Sequence, residues 1–168
     1  MIISQSQEEI QSAIALQTKC EVKEIGLRHC HASLEGRESD LKPPFSLRVS
    51  HNSTANAILD GILRIEARFQ VQGYDSSSPS ALLFSIECAF DLDYEINDKD
   101  FEPLPESIAA FKDGNAIFNC WPYARELVSS LTSRMDLQVP ALPFLRMVPK
   151  RPTTATHKAP IEPAVSKS

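Results

Sequence analysis

Hydrophobic and polar positions alternate most regularly in the middle of the chain. Leu63, Ile65, Ala67, Phe69 and Val71 take one side of a period-two pattern, and Arg64, Glu66, Arg68, Gln70 and Gln72 take the other. Successive side chains of a strand point to opposite faces, so this segment is a strand with one dry and one wet face. After a loop from Gly73 to Ser80, which holds three consecutive serines and Pro79, the alternation resumes. Leu82, Phe84, Ile86, Cys88, Phe90, Leu92, Tyr94 and Ile96 form its apolar side, opposite Leu83, Ser85, Glu87, Ala89, Asp91, Asp93 and Glu95. Two long strands joined by a short loop predict an antiparallel pair. Phe45, Leu47 and Val49 alternate after Pro43-Pro44 as a further strand. From Cys20 to about Leu34 the pattern slips: Cys20 and Val22 share a face, but Ile25 and Leu27 fall one position out of phase. A bulge near Glu24 accounts for that slip.

Helical periodicity frames these strands. Ser6-Gln7-Glu8-Glu9 is a capping-box sequence, followed by Ile10, Ala13, Ile14 and Gln17, so a first helix is predicted from Ser6 to about Gln17. It is too short to be stable alone and must dock on the body. A second short helix is expected from Glu106 to about Lys112, ending near Gly114. A longer one is expected from Asn119 to Met135, with Asn119 as N-cap and Pro122 in the first turn, where its missing N–H costs nothing. Trp121, Ala124, Leu127 or Val128, Leu131 and Met135 make its apolar stripe. Leu137 to Val148 is apolar but interrupted by Pro140 and Pro143, so it runs extended against the body. Strands followed by helices imply an α+β domain: a four-stranded antiparallel sheet, a long helix on one face and a short N-terminal helix.

The 168 residues suffice for one domain with its own core. That domain is predicted over 1–149, and 150–168 reads as a disordered Pro-rich tail, with Pro152, Pro160 and Pro163 among Thr, Ala and Ser and no apolar period. Net charge is −5; the tail's Lys150, Arg151, Lys158 and Lys167 against Glu162 make +3, which leaves −8 on the body. An acidic body argues against nucleic acid as a partner. No apolar run approaches the ~18 residues of a membrane span, and the first cation, Lys19, comes too late for a signal peptide, so a cytoplasmic location is expected. Cys20, Cys30, Cys88 and Cys120 include no C-x-x-C pair and are expected as reduced thiols.

Catalytic chemistry is sparse. The chain has no G-x-S-x-G elbow, no phosphate-binding Gly-rich loop and no H-E-x-x-H motif, so no enzyme activity, cofactor or metal is expected. His29 and His31 share a strand face but have no matching carboxylate or thiolate in register. Glu87, Asp91 and Asp93, with Glu95, line one wet face. They read either as a solvated sheet face or as an acidic surface for docking a basic partner. The strip from Leu137 to Met147 either covers the core or walls a groove for another apolar chain.

Phe118-Asn119-Cys120-Trp121-Pro122-Tyr123-Ala124-Arg125-Glu126, with Ser133-Arg134 eight residues beyond Glu126, resembles the SecB family of protein-export chaperones. The Leu-Pro segment Leu137–Phe144 and the run Phe84-Ser85-Ile86-Glu87 are similar to the family as well. The resemblance extends over about Cys20 to Pro149 and is strongest from about Phe111 to Met135. It implies a protomer that assembles as a homotetramer, a dimer of dimers, and holds unfolded polypeptide clients in apolar grooves without nucleotide. Export precursors handed to SecA are the implied clients, with an antitoxin of a toxin–antitoxin system as the alternative. By analogy, client contacts are expected at Phe45, Leu47, Val49, Phe84, Tyr123, Leu142, Phe144 and Leu145. The oligomer interface is expected at Trp121, Arg125 and Glu126, and motor docking at Glu87, Asp91 and Asp93. The Pro-rich +3 tail and the modest −8 of the body depart from export members, and the N-terminal helix before the first strand is more similar to SecB-like chaperones that pair with toxin–antitoxin systems or act in other client-specific roles. Outside this class, a hot-dog thioesterase would need an Asp, Glu or His aimed at an acyl tunnel beside the helix N-terminus, where Asn119 and Glu126 are the only nearby polar candidates. A purely structural oligomeric adaptor is the remaining alternative.

Overall fold

The computed structural model describes residues 1–36, 41 and 44–150; the predicted tail lies outside them from residue 151 onward. The elements are β1 (Ile2–Gln5), α1 (Gln7–Gln17), β2 (Cys20–Leu34), β3 (Phe45–Ala55), β4 (Ile62–Asp75) and β5 (Ser78–Ile96), then α2 (Pro105–Phe111), a π-helical turn (Lys112–Ala116), α3 (Ile117–Arg134) and β6 (Arg146–Pro149). Strands β2 to β5 form one antiparallel sheet in the order β2-β5-β4-β3, a Greek key in which β2 returns beside β5. The α+β class with a four-stranded antiparallel sheet and long helix matches the sequence reading.

Alternation decides the core. Leu63, Ile65, Ala67, Phe69 and Val71 on β4 and Phe84, Ile86, Cys88, Phe90, Leu92 and Tyr94 on β5 are all buried. The β3–β4 connection reverses through Asp60 and Gly61, whose φ of 51° and 75° lie in the left-handed region that Asp tolerates and Gly adopts freely. Gly73 is required for a different reason: a Cβ there would run into the Phe84 ring, which packs across β4 at that point. The expected bulge is present between Val22 and Glu24, and a second one follows between Leu27 and His29.

The helical region differs from its prediction. α2, the π turn and α3 form one continuous helix over 105–134 rather than two. It begins with Pro105 after an extended Leu104, the position where proline's fixed φ favours a helix start. Ala116 has helical φ −65° and ψ −43°, so no new helix starts near it. Asn119 is therefore mid-helix, where its side-chain amide donates to the Tyr94 hydroxyl at 3.1 Å. Pro122 lies inside the helix. A π turn accommodates one extra residue without ending the helix. At the turn before it, the Gln5 amide donates to the Ala110 carbonyl at 2.7 Å.

The extended segment after α3 ends in β6, which pairs in parallel with β1, Ile3 opposite Met147. That two-stranded sheet was not legible in the sequence. α1 keeps its capping box, with the Ser6 hydroxyl accepting from Glu9 N–H and Glu9 accepting from Ser6 N–H, and buries Ala13 and Leu16. The long helix lies over β5, β4 and β3, with Trp121 against Phe69 (5.6 Å between ring centres) and Phe111 against Tyr94 (4.9 Å). Along β2 beyond Cys20, no residue is fully buried.

Candidate functional site

Two side chains of α3 hold down the segment that follows it. Trp121 donates its indole N–H to the Pro143 carbonyl at 3.1 Å, and Arg125 donates from Nε to the Leu142 carbonyl at 3.0 Å. The Arg125 guanidinium also stacks 4.5 Å from the centre of the Phe144 ring. From the other side, the N-terminal amino group donates to the Phe144 carbonyl at 3.2 Å. These contacts seat Leu142 and Leu145 in the core and turn Phe144 outward, 75% exposed. Between α3 and Val139–Leu142 they leave an open groove of about 430 Å³, lined by Pro122, Arg125, Glu126 and Val128 among others.

The residues expected to touch a client are thus split. Tyr123 and Phe144 are exposed, and Leu47 and Val49 are half-buried on the edge strand β3. Phe45, Phe84, Leu142 and Leu145 are interior, so an exposed role for them is corrected: their apolar area is used inside the protomer. Phe45 meets Phe84 edge to face at 5.7 Å. Of the residues expected between protomers, Trp121 is buried and turned inward, and Arg125 bonds within its own chain; Glu126 faces outward.

The sequence pattern, with its one bulge, put Val22 and Leu27 on the dry side of β2, and the second bulge brings Leu34 to the same side opposite Phe84; the three are 44%, 52% and 47% exposed. The long helix stops short of this strand. Phe118 on α3, 48% exposed, is a further exposed apolar residue that the sequence reading missed. For Val22 and Leu27 the alternation was visible; the missing cover was not.

The wet face of the sheet is a lattice of ion pairs. Asp93 accepts two hydrogen bonds of 2.6 Å from Arg64. Asp91 accepts from Arg28 at 3.0 and 3.1 Å. Glu66, 8% exposed, lies between Arg68, with which it hydrogen-bonds, and Arg28 at 3.2 Å. Hydrogen bonding to Arg68 and Arg64, respectively, holds the Glu66 and Asp93 carboxyls below their usual range. Glu87 accepts from the Gln70 amide at 2.7 Å. The carboxylates expected to dock a motor are already engaged by neighbours on β2 and β4. His29 borders a polar hollow of about 390 Å³ with Arg68 and Glu87. Among the described residues, no group of three or more His, Cys, Asp or Glu side chains is placed to hold a metal ion, and no helix is long and apolar enough to cross a membrane. The thioesterase reading loses its premise, because Asn119 is not at a helix N-terminus.

No protein-family model and no curated protein matches the chain. Among solved structures, a SecB-like chaperone of Mycobacterium tuberculosis, Rv1957, in complex with a ChAD peptide from the Rv1956 HigA1 antitoxin, superposes with a TM-score of 0.70 at 15% identity. The match covers 82% of this chain and 99% of that one. A protein of unknown function from Streptococcus agalactiae overlaps with a TM-score of 0.43 at 13% identity, over 75% of this chain and 98% of that one. The Greek-key sheet, the long helix over one face and the strapped segment after it give this chain the fold of a SecB-like chaperone.

Proposed function

We propose that this chain is an ATP-independent chaperone that holds non-native polypeptide, and that its client is an antitoxin-like segment. The observation that carries the reading is the apolar surface left uncovered at Phe118 and Tyr123 of α3 and at Phe144, in a fold whose neighbour was solved with an antitoxin peptide bound. Holding without turnover needs exposed apolar area repeated on one assembly, not a catalytic set. Tyr123, Phe144, Leu47 and Val49 supply client contacts; Phe45, Phe84, Leu142 and Leu145 shape that surface from beneath. Export delivery through SecA is the second reading. The pairing of Asp91 with Arg28 and of Asp93 with Arg64 favours the antitoxin reading, since any basic docking segment would compete with arginines already in place.

The same reading makes the protein a cytoplasmic homotetramer. β2 is a 15-residue strand at the edge of its sheet, with apolar Val22, Leu27 and Leu34 exposed. Such an edge is an association site unless something covers it, and a second copy is the cover we assign to it.

A denatured, aggregation-prone protein mixed with stoichiometric tetramer should scatter much less light than it does alone, with no ATP added. Undiminished scattering would overturn the chaperone reading. Retention of a small antitoxin, and not of SecA, on the immobilised protein would support the choice of client; the reverse result would return the chain to export.

A further inference from the structure

We propose that the tail beginning at Arg151 docks back on its own body, with the Arg151 guanidinium seated in an acidic cavity between β1, α1 and the first turns of the long helix. The cavity is open, about 360 Å³, and lined by Gln5 on β1, Glu9 on α1 and Glu106, Ala109 and Asp113 along the helix. Ala109 is too short to fill the space between the two helical carboxylates. Gln5 supplies an independent sign of a ligand. It is 6% exposed, and its Oε1 is, among the described residues, the buried side-chain polar atom without a hydrogen-bond partner. The amide cannot be turned over, because its NH₂ end donates to the Ala110 carbonyl at 2.7 Å, where an oxygen would be repelled. Gly114 makes room for the amide: a Cβ there would come within 2.7 Å of Oε1. A buried acceptor left unpaired is costly, so this oxygen lacks a donor.

The surroundings make that donor a cation. Glu9, Glu106 and Asp113 line the cavity against a single ammonium, that of Lys150. Lys150 is engaged by Glu9 at 3.1 Å, and Asp113 by Lys112 at 2.6 Å and by the Ser53 hydroxyl at 2.7 Å. Glu106 has no ion-pair partner among the described residues. A guanidinium, with five N–H donors in a planar fork, can meet the Glu106 carboxylate and the Gln5 oxygen together. The chain delivers one at this point. β6 runs parallel to β1 with Pro149 opposite Gln5, and the Lys150 N–H donates to the Gln5 carbonyl at 2.6 Å. Alternate residues of an extended segment share a face, so position 151 follows Pro149 onto the side where Gln5 opens into the cavity. From 151 onward the tail carries Arg151, Lys158 and Lys167 against Glu162 alone, opposite in sign to the cavity. No residue of β2 and none of the proposed client contacts lines it. The contact lies within one chain and stands apart from both the β2 assembly and the chaperone reading.

Phenylglyoxal modifies free guanidinium groups, and peptide mapping of the full-length protein reads its rate at Arg151. At low ionic strength Arg151 should react about three- to tenfold more slowly than it does in Glu106→Gln, the worth of one charge-assisted contact. Added salt should bring the wild type up to the variant's rate. Equal rates in wild type and variant at low salt would overturn the proposal. Arg151→Lys keeps a cation and admits carbodiimide coupling, which joins an amine to a carboxylate in contact with it. Light- and heavy-nitrogen chains of this variant, refolded together in equal amounts, should show position 151 joined to Glu106 or Asp113 of the same isotope. The link between Lys150 and Glu9 is the internal control. Joining across isotopes would give the seat to a second copy, and Lys158 joined to Glu106 would give it to another part of the tail. Either result overturns the assignment to Arg151, as does no link at 151 where Lys150 and Glu9 have joined.

Discussion

His51 lies on the inner face of β3 with its ring 6.5 Å from that of Phe69. Burial lowers its pKa below the ordinary histidine value, while the charge of Asp113 pulls weakly the other way. The unfolded chain, with an ordinary imidazole, takes up a proton near pH 6.5, whereas the folded chain does so only at lower pH. Stability from this residue is complete above about pH 6.5 and declines as pH falls toward the folded value. The urea midpoint should therefore drop between pH 7.5 and 5.5, and His51→Gln should flatten that part of the curve. An unchanged slope in the variant would remove His51 as its source. Single residues also mark where sequence reading reaches its limit. Arg125 and Glu126 are oppositely charged neighbours in one motif, yet about 100° of helical turn separates them. One bonds the Leu142 carbonyl and the other faces outward.

At the scale of elements, the long helix shows tertiary packing overriding local signals. Gly114 read as a helix end and Pro122 as a first-turn residue, whereas both lie inside one helix, where a proline costs about 3 kcal/mol. The helix persists because Ile117, Cys120, Trp121, Ala124 and Val128 bury one continuous face against the sheet, at about 1.5–3 kcal/mol for each large side chain. Arg125 then joins this helix to the strap that follows. Arg125→Ala should free residues 137–145, raising their amide exchange and lowering stability by about 1–2 kcal/mol, the worth of a charge-assisted hydrogen bond with its stacked ring. Solution mass should not change, because the bond lies within the protomer. A fall in mass with undisturbed exchange would instead return Arg125 to the oligomer interface.

For the whole molecule, the consequential feature is that the helix covers three strands of a four-stranded sheet. The uncovered dry side of β2 sets the expected assembly. Solution mass should correspond to four protomers, and the double variant Val22→Glu with Leu27→Glu should lower it, since two carboxylates would be forced into an apolar contact. A monomeric wild type would sink the assembly, as would a double variant of unchanged mass.

Strands β2 to β5, their dry and wet faces, the first bulge, the capped first helix and the α+β class were all present in the linear pattern. They follow from periods of two and 3.6 residues and from local hydrogen-bonding chemistry, which short stretches of sequence carry in full. The continuity of the helix, the β1–β6 pairing, the inward turn of Trp121 and the exposure of Val22, Leu27 and Leu34 were decided only in three dimensions. Each depends on which distant segment arrives to cover or bond a given face. Residues far apart in the chain settle that jointly, and no local pattern records it.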